Sequence, residues 1–97
     1  MSLKEIQEKV QFFIEKNNMQ IPVEFRMLDL ISETGELSKE ILLATDYGKV
    51  APSFRPSFQD EMGDVFFSLI ALANQTGIDL EEALNQALEK YSERLKN

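Results

Sequence analysis

The sequence carries two short acidic motifs, Glu33-Thr-Gly-Glu36 and Glu61-Met-Gly-Asp64, each inside an apolar stretch with helical periodicity. Carboxylates three positions apart share one face of an α-helix, with Cβ atoms about 5–6 Å apart. Apolar residues recur on the neighbouring arc of each helix, so the acids lie at the edge of a core. If the two helices pack antiparallel, the four carboxylates converge. The motifs therefore restrict the chain to folds in which two helices share one acidic site.

Converging carboxylates need a counter-charge, because repulsion and partial desolvation would otherwise cost on the order of several kcal/mol. Ligand sets made only of oxygen are typical of hard cations such as Mg²⁺ or Mn²⁺. The candidate metal ligands are the four motif acids, Glu33, Glu36, Glu61 and Asp64. Asp29 and Glu40 continue the stripe of the first motif and are interpreted as solvated acids or acids outside the ligand set.

Composition excludes several kinds of site. The chain has no cysteine and no histidine, which removes thiolate and imidazole metal ligands and histidine-dependent nucleophiles. Its net charge is −7 and its Lys and Arg residues are scattered, which disfavours polymeric nucleic acid as a partner. No apolar run approaches the length of a membrane span, and the N-terminal residues lack a secretory signal pattern. We expect residues 1–97 to form a single domain of a soluble, cytoplasmic protein.

Periodicity predicts four helices and no strand. Their expected bounds are about Leu3 to Lys16, Pro22 to Tyr47, Ser57 to Thr76 and Asp79 to Leu95. Capping boxes are predicted at Ser2 with Glu5 and at Asp79 with Glu82, and an N-cap at Ser57 with Asp60. Gly48 and Gly77 are expected to end the second and third helices.

The segment from Lys49 to Pro56 is predicted to be a loop. Its two cations, Lys49 and Arg55, are either solvated or able to reach over a bound triphosphate. Gly35 and Gly63, one inside each acid pair, provide room either for close helix packing or for a metal-bound phosphate or neighbouring chain.

Four helices with short connections predict an all-α bundle. A domain of this size buries a limited share of its surface, and the second and third helices are rich in small and apolar residues. We therefore expect a four-helix protomer whose bundle is completed by oligomerisation.

The two acidic motifs, in this order on consecutive helices, resemble those of the MazG-like family of all-α nucleoside triphosphate pyrophosphohydrolases. That family carries Glu-x-x-Glu, a variable loop and Glu-x-x-Asp. The likeness covers most of the chain, including Phe12 and Phe13 before a proline-bearing turn and the tail from Lys90 to Arg94. Leu88 departs from the Asn that many relatives have there, so no polar contact to a nucleotide is expected from that position.

The resemblance implies hydrolysis of an NTP or dNTP to the monophosphate and pyrophosphate. The expected cofactor is Mg²⁺, with Mn²⁺ as a substitute. The resemblance also implies a house-cleaning role in the nucleotide pool. Glu33 or Glu36 would accept the proton of the attacking water, since histidine is absent. Lys90 and Arg94 would bind phosphate. Phe12 and Phe13 are either core contacts or a wall for the base, with Phe54 and Asn74 as further candidates for base recognition. Relatives imply a homodimer or homotetramer.

Two alternatives stay open. The first is a non-catalytic helical interaction domain with a solvated acidic face, for which Mg²⁺ and chelators would leave the melting temperature unchanged. The second is a pyrophosphohydrolase acting on phosphoribosyl-ATP, whose family shares the helical carboxylate arrangement. A substrate panel that includes phosphoribosyl-ATP separates this enzyme from a nucleoside triphosphate pyrophosphohydrolase.

Overall fold

The structure is a computed structural model that describes residues 1–96. These residues form four α-helices and no strand, with α1 at Leu3–Lys16, α2 at Val23–Ala44, α3 at Ser57–Gln75 and α4 at Leu80–Arg94. The predicted all-α, four-helix protomer is confirmed. None of the described helices is both long enough and apolar enough to cross a membrane.

Two helices begin where their capping signals predict. At α1, the hydroxyl of Ser2 accepts from the Glu5 N–H at 3.1 Å, and the Glu5 carboxylate accepts from the Ser2 N–H at 3.0 Å. At α4, the Asp79 carboxylate accepts from the Glu82 N–H at 3.1 Å, which is one half of the predicted box. These bonds satisfy N–H groups that the helix itself leaves free.

The ends of α2 and the start of α3 differ from the prediction. Helix α2 ends at Ala44, because Asp46, Tyr47 and Gly48 have φ angles of 46°, 58° and 86° and cannot continue a right-handed helix. The predicted N-cap at Ser57 is wrong. Pro56 is the N-cap of α3, and the hydroxyl of Ser57 binds a carboxylate on α2.

Helices α2 and α3 pack against each other as an antiparallel pair, α1 lies against α3, and α4 lies against α1. The side chain of Gln7 links α1 to the turn between α3 and α4. Its amide nitrogen donates to Asn74 Oδ1 at 3.0 Å and to the Ile78 carbonyl at 2.9 Å, while its oxygen accepts from the Leu80 N–H at 2.9 Å. Gln7 is buried, and these bonds fix α1 and α4 relative to the long pair.

The protomer is open for its size. Its radius of gyration is 16.3 Å, whereas a compact domain of this length has about 13 Å. Its accessible surface is 7269 Å², against roughly 5,700 Å² for a compact protein of the same mass. Several large apolar residues of α2 and α4 are 42 to 56% exposed, namely Met27, Ile41, Leu84, Leu88 and Tyr91. Oligomerisation stays a prediction, and this exposed apolar surface supports it.

Candidate metal centre

The acidic stripe of α2 faces a matching stripe of α3. On α2 the spacing from Asp29 through Glu33 and Glu36 to Glu40 is four, three and four residues. On α3 the same spacing separates four residues, which are Ser57, Glu61, Asp64 and Ser68. Because the helices are antiparallel, each position of one stripe faces one position of the other.

The outer positions of the two stripes are joined by hydrogen bonds. The hydroxyl of Ser68 donates to Asp29 Oδ2 at 2.9 Å. At the opposite end, the hydroxyl of Ser57 donates to Glu40 Oε1 at 2.8 Å. Serine therefore satisfies the outer acids, and the four acids of the two motifs occupy the positions between them.

Three of the motif acids converge. Carboxylate oxygens of Glu33, Glu61 and Asp64 lie within 4.8 Å of one another. Glu36, the fourth predicted ligand, is an exposed residue one turn along α2 and is not part of this three-residue group. The structure thus places Glu33, Glu61 and Asp64 together and leaves Glu36 beside them.

The pKa values of two of these acids reflect the crowding. Burial raises the pKa of Glu33 above its ordinary 4.5, and the carboxylates of Asp64, Asp29, Glu61 and Glu36 raise it further. Burial also raises the pKa of Glu61, with further contributions from Asp64 and Glu36. Glu36 acts on both residues and is therefore electrostatically part of the site.

The geometry suits a small hard cation. In an octahedral Mg²⁺ site with bonds of about 2.1 Å, ligand oxygens are about 3.0 Å apart when adjacent and about 4.2 Å apart when opposite. The oxygens of the three acids, which lie within 4.8 Å of one another, are close to these separations. A donor set made of carboxylates also matches the preference of Mg²⁺ and Mn²⁺ for oxygen.

Glu40 is not a solvated acid. It is 7% exposed, and Arg55 from the loop donates to it through Nη2 at 2.7 Å and Nε at 3.4 Å. The Arg55 guanidinium and then the Ser57 hydroxyl hold the pKa of Glu40 below its ordinary 4.5. Arg55 is therefore bound to α2 in this structure, although its side chain remains 55% exposed.

The predicted phosphate-binding cations lie on another part of the protomer. Lys90 and Arg94 are on α4, which packs against α1, and both are next to the ring of Tyr91, at 5.2 Å and 5.9 Å from its centroid. Within one protomer, the acids and these cations thus belong to different helix pairs.

The aromatic candidates are partly exposed. Phe12 is 67% exposed and is not a core contact within the protomer. Phe13 meets the edge of Phe67, with ring centroids 6.3 Å apart. Phe54 lies 4.6 Å from Phe58, measured between ring centroids. Asn74 is engaged with Gln7, to whose backbone carbonyl it donates at 2.9 Å.

The two glycines of the motifs face open space. Apart from its chain neighbours and the backbone of its own helix, a Cβ atom built on Gly35 or Gly63 would meet no atom of the described residues within 4 Å. Close packing inside the protomer therefore does not explain them. Room for a metal-bound phosphate or a neighbouring chain stays a prediction for both glycines.

Sequence reasoning missed the two serines that hold the outer acids. The sequence analysis assigns no role to Ser68 and assigns Ser57 to a helix cap. The repeated spacing of four, three and four residues on both helices is the signal that could have found both pairs.

Comparison with known proteins gives consistent matches. The profile of the MazG nucleotide pyrophosphohydrolase domain matches residues 23–97. YpjD of Bacillus subtilis (strain 168) is 36% identical over 101 residues, which cover 99% of this chain and 88% of that protein.

Two solved structures share the fold. A crystal structure of a Bacillus-conserved MazG protein, described as a nucleotide pyrophosphohydrolase, superimposes with a TM-score of 0.78 at 32% identity, covering 94% of this chain and 89% of the other. The crystal structure of Bacillus subtilis YpjD gives a TM-score of 0.77 at 34% identity, with coverage of 94% and 93%.

Proposed function

The chain belongs to the MazG nucleotide pyrophosphohydrolase family, and from this premise we propose that it hydrolyses a nucleoside triphosphate between the α- and β-phosphates. The products are the nucleoside monophosphate and pyrophosphate, and the reaction depends on Mg²⁺. The observation that carries the proposal is the group of carboxylate oxygens of Glu33, Glu61 and Asp64 within 4.8 Å of one another. The substrate is a nucleotide removed from the pool, in keeping with a house-cleaning role.

Glu33, Glu61 and Asp64 would hold Mg²⁺, or Mn²⁺ in its place, which supplies charge neutralisation for the triphosphate and lowers the pKa of a bound water. Glu36 lies beside these three acids without belonging to their group, so its carboxylate is free to accept the proton of the attacking water. Glu33 is the alternative base if Glu36 serves as a ligand.

The serine bonds at both ends support this division of roles. Ser68 holds Asp29 and Ser57 holds Glu40, so neither outer acid has to turn towards the inner group. The outer bonds also fix the antiparallel register, which determines how closely the inner acids approach. Pre-organised ligands of this kind lose little freedom when a cation binds.

The triphosphate needs cations as well as metal, and we assign them to Lys90 and Arg94. Because α4 packs on α1 within a protomer, these residues would reach the acids of a second copy in a homodimer or homotetramer. The open shape of the protomer and the exposed apolar residues of α4 support such an assembly. Phe12 and Phe13, which lie on the exposed side of α1, would contact the base.

The test is a measurement of pyrophosphate and orthophosphate release from canonical, deoxy and modified nucleoside triphosphates and from phosphoribosyl-ATP. Each substrate is assayed with Mg²⁺, with Mn²⁺ and with EDTA. Wild type is compared with Glu36→Gln and Glu61→Gln, and with Glu24→Gln as a control acid near the start of α2.

We expect metal-dependent pyrophosphate release that Glu36→Gln and Glu61→Gln abolish and Glu24→Gln retains. Orthophosphate as the product would contradict cleavage between the α- and β-phosphates. Activity confined to phosphoribosyl-ATP would favour the alternative enzyme. Absence of turnover, together with a melting temperature indifferent to metal, would favour the interaction domain.

A further inference from the structure

Arg26 is a buried cation next to a cavity. The residue lies seven positions before Glu33 on α2, two turns away on the same face and about 10 Å along the helix axis. It is 5% exposed. Its Nη2 donates to the Met19 carbonyl at 2.9 Å, whereas its buried Nε has no hydrogen-bond partner among the described residues.

A charged group is costly to bury unless an opposite charge or hydrogen bonds compensate it. Among the described residues, no carboxylate lies within 4 Å of the Arg26 guanidinium. The nearest acid on the same stripe is Asp29, and Asp29 uses Oδ2 to accept from Ser68. The Met19 carbonyl follows the C-terminal end of α1 and compensates only part of the charge.

The cavity beside Arg26 has a volume of about 110 Å³. This is room for roughly three to four water molecules at about 30 Å³ each, or for one four-oxygen anion. Arg26 is the single charged group in its lining. The lining also contains four amide side chains, those of Gln11, Gln20, Asn74 and Gln75. No acid lines the cavity, although the chain as a whole has a net charge of −7.

The start of α2 adds positive potential at the same place. Gln20 and Ile21, which line the cavity, immediately precede the N-cap Pro22, and no side chain caps this helix end. The N-terminal end of a helix carries a partial positive charge and favours anions. The uncapped helix and the buried Arg26 guanidinium, which has no carboxylate partner among the described residues, are separate observations that both favour a negative ligand.

We propose that the cavity between α1, the start of α2 and the end of α3 binds a small oxyanion through the guanidinium of Arg26 and the surrounding amides. The amides of Gln11, Asn74 and Gln75 each already donate one hydrogen bond within the protein, to Glu15, Gln7 and Ile21, so each offers its second N–H. This site is distinct from the acidic centre, because the Asp29–Ser68 pair lies between Arg26 and Glu33 on the α2–α3 seam. The ligand is a phosphate-like anion, and it binds without a divalent metal.

The chain allows a direct test, because it contains only three arginines, Arg26, Arg55 and Arg94. Each gives one Nε–Hε cross-peak in a ¹⁵N–¹H spectrum. Inorganic phosphate is titrated into the metal-free protein in EDTA, with sodium chloride at matched ionic strength as the reference. Arg55, which is paired with Glu40, reports the general effect of salt. Arg94 is not used as a reference, because Lys90 and Arg94 are the proposed phosphate-binding cations.

We expect the Arg26 cross-peak to move along a saturating curve with phosphate and not with chloride, while the Arg55 peak moves alike with both salts. Phosphate should also raise the melting temperature of wild type above the chloride reference. Arg26→Lys should lose this increase, because a lysine lacks the donor fork of arginine.

An Arg26 signal that phosphate does not move, or that phosphate and chloride move equally, overturns the proposal and leaves only water in the cavity. If Arg26→Lys fails to fold, Gln20→Ala changes an exposed residue of the lining and should weaken the phosphate response at least about twofold. An unchanged response in a folded Gln20→Ala also contradicts the proposed lining. The titration contains no nucleotide and no metal, so its outcome is independent of the proposed hydrolysis.

Discussion

The hydroxyl of Ser68 donates a 2.9 Å hydrogen bond to Asp29 across the α2–α3 seam, one helical turn from the facing residues Glu33 and Asp64. Ser68 is 1% exposed, so this bond forms in the best-buried part of the protomer. It is mirrored at the other end of the seam by the 2.8 Å bond from Ser57 to Glu40. The acids of the two motifs thus lie between two bonded pairs that set the helix register.

Ser68→Ala removes the only donor that the structure gives to Asp29 within the described residues. We expect it to lower the free energy of unfolding by about 1–3 kcal/mol, because a partly buried carboxylate oxygen loses its partner. Urea denaturation at a fixed protein concentration measures the change. Ser92→Ala, on the exposed side of α4, is the control and should stay within about 0.5 kcal/mol of wild type. Equal effects of the two substitutions would contradict a structural role for the Asp29 bond.

Arg55→Gln should destabilise the protein in a pH-dependent way. In the folded protein, Arg55 and then Ser57 hold the pKa of Glu40 below its ordinary 4.5. The pair therefore contributes stability in full above that pH, and the contribution disappears as the pH falls through the lower, folded-state pKa of Glu40. The difference in melting temperature between Arg55→Gln and wild type should be largest near neutral pH and narrow in acid.

Lys49→Gln is the matched control for this measurement, since Lys49 is an exposed cation of the same loop. It should show little difference from wild type at any pH. A difference for Arg55→Gln that persists unchanged to about pH 3 would mean that the pair with Glu40 is not its source.

Glu33→Gln should raise the stability of the metal-free protein and weaken its stabilisation by Mg²⁺. The folded-state pKa of Glu33 is raised, so the ionised carboxylate destabilises the metal-free protein above pH 4.5, and the neutral amide relieves this repulsion. In EDTA the variant should melt at a higher temperature than wild type. Added Mg²⁺ should stabilise wild type, by about 2.7 kcal/mol at a hundredfold excess over its dissociation constant, and should stabilise the variant much less. Equal stabilisation of both proteins by Mg²⁺ would remove Glu33 from the ligand set.

The assignment of the substrate cations to a second copy predicts complementation. Glu61→Gln lacks a ligand, and the double variant Lys90→Ala with Arg94→Ala lacks the cations, so each protein alone should be inactive. In randomly mixed dimers, one of the two sites in each heterodimer is intact, and about a quarter of wild-type activity should return. If each chain supplies both sets of residues, the mixture stays inactive, and a monomeric wild type in light scattering would contradict the arrangement directly.

Local signals predicted much of the fold. The bounds of α1 are those expected from its periodicity, because its capping box and its Asn17 end depend only on residues nearby in sequence. Gly77 was likewise predicted to be left-handed after α3, and its φ angle is 71°. Gly48 is also left-handed, with a φ angle of 86°, but it does not end α2 as predicted, because the helix already ends at Ala44. The resemblance to the MazG-like family is confirmed by the match over residues 23–97.

Features that depend on distant residues were not predicted. Ser57 lies where the local sequence predicts an N-cap, but its hydroxyl donates a hydrogen bond to Glu40, which is 17 residues away in the sequence. Arg26 had no local signal, since only the fold shows that it is buried beside amides from α1 and α3. The exposure of Leu84, Leu88 and Tyr91 on α4 likewise depends on how the whole chain packs and not on local sequence.

The most direct test of the metal centre is the binding of Mn²⁺ to the protein without nucleotide, measured by the loss of the free-ion EPR signal. Wild type and Glu24→Gln should bind Mn²⁺ in a saturable manner, with Mg²⁺ competing, and Glu61→Gln should lose this binding. Saturable binding that survives in Glu61→Gln, or its absence from wild type, would contradict a metal centre formed by Glu33, Glu61 and Asp64.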